Sequence, residues 1–170
     1  MNVIHLYRII NIILLILVNH ILWADDKANN KKELAIHYFM QGEFLLNQGN
    51  YALAVLEFQD ALDIDPNAST IHISIADAYR RLGRSKHAED HLQIAIDLDP
   101  EELNSREMLG HLYLINRRYK EAEKEFLILS KLDTYNDNYI VTLADLAKLQ
   151  ENWSLSVDYY LKAFDLNPQN

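Results

Sequence analysis

The chain repeats itself every 34 residues. Gly49–Pro66, GNYALAVLEFQDALDIDP, returns as Gly83–Pro100 (GRSKHAEDHLQIAIDLDP), as Arg117–Thr134 (RRYKEAEKEFLILSKLDT) and as Glu151–Pro168 (ENWSLSVDYYLKAFDLNP). A fixed period of this size means stacked units, each too small to bury its own apolar face and each completed by its neighbour.

Every unit holds two stretches of helical apolar spacing separated by a break, which predicts paired helices. The pairs are Leu34–Gln48 with Tyr51–Ile64, Ser69–Leu82 with Ser85–Leu98, Glu101–Asn116 with Tyr119–Leu132, and Asn136–Gln150 with Trp153–Leu166. Asp99, Pro100 and Glu102 together predict a helix start, with Asp99 as cap, Pro100 in the first helical position and Glu102 reaching back. Asp65-Pro66 predicts a similar one. In register, Gly42, Ala76, Gly110 and Ala144 are small on the first helices, and Ala54, Ala88, Ala122 and Ser156 on the second. Small side chains let helices cross closely. Phe58, Leu92, Phe126 and Tyr160 fill the space one turn later, and Ala61, Ala95 and Ala163 form a further small column broken by Leu129. Tyr51, Tyr119 and Trp153 open three of the second helices with an aromatic ring.

These columns resemble the tetratricopeptide repeat, in four in-phase units. Tyr79, Tyr113 and the endings Ile64-Asp65-Pro66, Leu98-Asp99-Pro100 and Leu166-Asn167-Pro168 match it too. The early aromatic column departs from the pattern, reading Tyr38, His72, Arg106 and Ile140, and Thr134 stands where a unit-ending proline is expected. The resemblance implies an all-α fold, a right-handed superhelical solenoid of four antiparallel helix pairs. The repeats would span about 35–68, 69–102, 103–136 and 137–170 of a domain covering 34–170. It also implies a concave groove, lined by the first helices, that holds a protein or peptide segment. By position the lining would be Ile36, Phe39, Glu43, Leu46, Thr70, Ile73, Asp77, Arg80, Arg81, Glu107, His111, Leu114, Val141, Asp145 and Lys148. Some members clamp a terminal carboxylate with Lys, Asn and Arg. The corresponding places here hold Phe39, Glu43, Ser74, Asn104 and Met108, which argues against that ligand.

A second candidate surface is the last helix. Val157, Leu161 and Phe164 form an apolar stripe at i, i+4, i+7. The equivalent places read Glu89, Gln93, Ile96 and Glu123, Leu127, Ser130, which are more polar. The stripe is expected to meet another chain or a second copy of this one.

The totals fit. A chain of 170 residues suits one domain, and only 4 Gly and 3 Pro favour long regular elements. A net charge of −9 argues against a nucleic-acid partner, which requires an excess of cations. Without Cys there is no disulfide, thiolate metal site or cysteine nucleophile. Residues 1–24 carry His5 and Arg8, an apolar Ile9–Leu22 and a small Ala24 before Asp25-Asp26, the layout of a secretory signal peptide. An uncleaved anchor over Val3–Trp23, the one expected membrane contact, stays open. Both readings make the chain periplasmic or otherwise exported. Residues 25–33 are expected as a polar linker or the frayed start of the first helix.

Chemistry is sparse. His87 and His91 have chelating i, i+4 spacing, but no third ligand accompanies them. Asp60, Asp63 and Asp65 fit a solvated helix face. Neither a phosphate loop nor a nucleophile elbow is present. No catalytic residue, metal or cofactor is expected. The expected function is a non-catalytic protein-protein interaction scaffold of the cell envelope. A membrane-anchored assembly factor is the rival reading, and a regulatory module of an enzyme complex is a third.

Overall fold

The computed structural model describes residues 29–168, and its regular structure is entirely helical. Residues 1–24, the expected signal or anchor, lie outside that range. Helix α1 covers residues 29–47. It is followed by α2 (Tyr51–Ile64), α3 (Ser69–Arg81), α4 (Ser85–Leu98), α5 (Leu103–Ile115), α6 (Tyr119–Leu132), α7 (Asp137–Leu149) and α8 (Trp153–Leu166). Each helix packs on its neighbours in sequence, so that α3–α4, α5–α6 and α7–α8 are hairpins and α2–α3, α4–α5 and α6–α7 are the joints between units. The result is a right-handed solenoid of antiparallel pairs. Among the described residues no helix is long and apolar enough to cross a membrane.

The core is one cluster running through the units. Ala54, Ala88 and Ala122 are fully buried at the crossings, and Ser156 nearly so. Side-chain volume explains the alternation in the facing column. A Cβ added at Gly110 would lie 2.8 Å from the Phe126 ring, and one at Gly42 would sit closer still to Phe58. Where the first helix carries alanine, as at Ala76, the partner shrinks to Leu92 or, opposite Ala144, swings outward as Tyr160. Tyr160 is 40% exposed and donates its hydroxyl to Asp145 at 2.6 Å.

All four hairpin turns use one motif. The amides of Asn50, Arg84, Arg118 and Asn152 bond back five residues, to the carbonyls of Leu45, Tyr79, Tyr113 and Ala147. This pattern needs a left-handed residue just before the donor. Gly49 and Gly83 fill the place with φ of 81° and 71°, whereas Arg117 and Glu151 adopt φ of 58° and 60° with a side chain present.

Two expectations need correcting. Helix α5 begins at Leu103, not at Pro100. Its cap is Glu102, whose carboxylate accepts from the Asn104 and Ser105 amides at 2.8 and 2.7 Å. Asp99 instead ends α4, and its amide bonds the Ala95 carbonyl. The Asp65-Pro66 start is likewise displaced, to Ser69, because Asp65 terminates α2. Residues 29–33, expected as polar linker or as the start of the first helix, are helical and belong to α1. Asn29 donates to Glu33 across one turn at 3.2 Å.

Candidate functional site

The first helices of the pairs present the predicted groove columns, and their side chains divide into three groups. One group faces solvent. Arg80, Arg81, His111, Asp145 and Lys148 are exposed, and Asp77 holds both Arg80 and Arg81. Arg81 also lies over the Tyr51 ring, 5.6 Å from its centre. These pairs sit at the surface, where they fix side-chain direction more than they stabilise.

The second group braces neighbouring first helices. Glu43 of α1 accepts from the Ser74 hydroxyl of α3 at 2.6 Å. Glu107 of α5 accepts from the Tyr139 hydroxyl of α7 at 3.2 Å. Burial, with Glu107 alongside, pushes the Tyr139 hydroxyl above its ordinary pKa, so it stays a donor. With Asp77 on its arginines and Asp145 on Tyr160, all four groove carboxylates are therefore engaged within the chain.

A third group belongs wholly or partly to the core. Leu46, expected in the groove, is buried in the core cluster, because an aliphatic side chain has no polar end to keep in water as Arg80 and Lys148 do. Phe39 is half-buried against Phe58, ring centres 5.8 Å apart. Ile73, Leu114 and Val141 are also half-buried, the last two against the core.

What remains open is a hollow of about 480 Å³ between α1, the end of α2 and the start of α3. Ala35, Ile36, Phe39, Ile64, Ala68 and Ile71 make its walls apolar, and Lys31, Lys32, Asp65 and Thr70 stand among them. Among the described residues neither lysine has an ion-pair partner. Phe39 and the groove positions Ile36 and Thr70 are thus joined to Lys31, Lys32 and Ile64, which lie outside the predicted lining. The signal for the lysines was present in the sequence, but as part of a presumed linker.

The second surface is also formed. Val157, Leu161 and Phe164 are 56%, 59% and 57% exposed and line, with Val141 and Tyr160, a hollow of about 540 Å³ on α7 and α8. The equivalent Val55 and Ile96 are buried, because α3 and α5 cover them.

His87 is exposed and His91 half-buried, so the two do not share a solvated face. His91 turns inward to His72, and both His87 and His91 pack on Tyr79 with ring centres 4.9 and 5.7 Å away. Among the described residues no group of three or more side chains could hold a metal ion.

Comparison with known proteins agrees with this architecture. The chain is 37% identical over 92 residues to a protein O-mannosyl-transferase of Caenorhabditis elegans, covering 54% of this chain but 13% of that protein. It therefore spans a small part of that relative's length. PilF of Pseudomonas aeruginosa has a similar structure, with a TM-score of 0.67 at 22% identity, over 83% of this chain and 64% of the other. The first such domain of Spaghetti (RPAP3), solved with the HSP90 peptide SRMEEVD, gives 0.65 at 21% identity, over 71% and 95%. Residues 28–69 and 73–136 match the family model of the tetratricopeptide repeat, and the chain belongs to that family.

Proposed function

We propose that the chain is a non-catalytic protein-interaction scaffold of the cell envelope. Its groove holds an extended segment of another protein, anchored by a bulky apolar side chain next to one or more carboxylates. The hollow beside Lys31 and Lys32 carries this reading, because it pairs apolar walls with cations unengaged among the described residues in a chain of net charge −9. A few polar groups on an apolar cleft are the usual makings of a binding site. The peptide held by the RPAP3 domain supports a protein segment as the occupant, without carrying over a terminal-carboxylate clamp. Residues 1–24 would direct the chain to the periplasm or another exported location, or fix it to a membrane as an assembly factor. Carbonate extraction separates those two.

Selection from a random peptide display library on the intact protein tests the ligand. Enriched peptides should carry Phe, Trp or Leu beside Asp or Glu. Their affinity should fall about tenfold or more in Lys31→Glu/Lys32→Glu, since reversed charges repel the ligand. Enrichment of basic peptides, or affinity indifferent to those changes, would contradict the reading.

A second reading concerns self-association. Each of α2, α4 and α6 is covered by the first helix of the next unit, and among the described residues no helix covers the equivalent face of α8. The α1 of a second copy fits, because its exposed Met40 and Phe44 have no cover among the described residues. Such head-to-tail contact continues the solenoid. Sedimentation at high micromolar concentration should show association that Phe164→Glu abolishes, and a clean monomer would exclude it.

A further inference from the structure

One pair of repeat positions links the two helices of the second and third hairpins, with a different chemistry in each. In the third unit it is an ion pair, Arg106 of α5 with Glu125 of α6, at 3.2 Å and largely shielded from solvent. Shifted by one period, the same two places hold His72 of α3 and His91 of α4, whose Nδ1 atoms are 3.0 Å apart. In the fourth unit they hold Ile140 and Tyr159. His72 is buried and His91 half-buried. At this separation one ring must donate its N–H while the other accepts, so at most one Nδ1–H can lie between them.

We propose that His72 and His91 form a proton-operated strut: it closes the α3–α4 hairpin when at least one ring is neutral and loosens that hairpin in acid. Two protonated rings would place two donors and two positive charges face to face in a partly desolvated site. Neither the lost hydrogen bond nor the repulsion has an outlet without moving α4 away from α3.

The surroundings favour neutrality. Burial lowers both histidines below their ordinary pKa, and the His72 charge lowers His91 further. On α4, His87 adds to this and Asp90 opposes it. From the α2–α3 turn, the Pro66 carbonyl opposes it at His72 as a hydrogen-bond acceptor. Tyr79 of α3 stacks on His91 as an uncharged face. On α4's contact with the third unit, Glu89 is taken up by Tyr113 and Arg118. Since the folded pair binds protons less readily than the unfolded chain, its contribution is complete above the ordinary histidine value of 6.5. It is lost as pH falls below that value toward the lowered folded one. Ser74 and Asp77, both on α3, would move with the hairpin, so the groove would change shape in acid. The strut is internal to the chain and does not depend on the ligand proposed above.

Amide hydrogen exchange on the whole protein at pH 7.5 and 5.5, corrected for intrinsic rates, tests the strut. Protection of α3 and α4 should fall severalfold, up to about tenfold per histidine, relative to α7 and α8, where Ile140 and Tyr159 replace the histidines, since pH 5.5 lies one unit below the ordinary histidine value of 6.5. In His91→Glu the order should invert, because a carboxylate opposite His72 favours its protonated form and α3–α4 protection should then rise in acid. Equal loss in both hairpins, or a His91→Glu variant that keeps the wild-type response, would overturn the proposal. If that variant does not fold, the wild-type comparison of the two hairpins decides.

Discussion

The second and third units share a backbone, a fully buried alanine (Ala88, Ala122) and a buried tyrosine (Tyr79, Tyr113), but differ at the other places where their helices meet. Where α3 and α4 meet, the partners are Ala76 with Leu92 and His72 with His91. Where α5 and α6 meet, they are Gly110 with Phe126 and Arg106 with Glu125. The turn of one uses Gly83 and that of the other Arg117, both in the left-handed region. The repeat therefore holds constant the summed volume at a crossing, the presence of a link between the helices and the handedness of the turn. Chemical identity at each place is free to vary, which leaves the units open to different local properties.

The comparison can be strained by substitution. Phe126→Ala empties the third crossing and should cost about 3–5 kcal/mol by denaturant melting. Ala122→Leu overfills it, since Ala122 is fully buried, and should cost about 1–3 kcal/mol. A melting curve unchanged by Ala122→Leu would remove that residue from the crossing. Arg117→Gly should stabilise by about 0.5–1 kcal/mol, because glycine adopts the φ of 58° without strain. The smallest effect is at the joint between the two units. Burial and Glu89 push the Tyr113 hydroxyl up to about 12. Stability from this group is therefore complete below the ordinary tyrosine value of 10 and lost as pH rises through 12. Glu89→Gln should lower the midpoint of the Tyr113 ultraviolet titration. With Arg118 at 40% exposure, its stability cost should stay below about 1 kcal/mol.

Much of the scaffold was readable because crossings are governed by volume. Ala88, Ala122 and Leu92 declare a crossing in one dimension, and helix bounds follow within a residue or two except at the start of α1, which is already helical at residue 29, five residues before the expected Leu34. The site was less readable. Column position places Glu43 and Glu107 in the groove, but nothing local indicates that Ser74 and Tyr139 occupy them. Leu46 shares its column with Arg80 and Lys148 yet is buried, since only the charged ends seek water. His72 and His91 are 19 residues apart, and only the packing of α3 on α4 brings them together.

The fold depends on volume compensation within in-register helix crossings. A double-mutant cycle tests this most directly: Gly110→Ala and Phe126→Leu, singly and together, by chemical denaturation. A Cβ at residue 110 would strike the ring 2.8 Å away, so Gly110→Ala should cost about 1–3 kcal/mol alone. With Phe126→Leu, which recreates the Ala76–Leu92 pairing, that cost should largely vanish. Strictly additive losses would contradict the account.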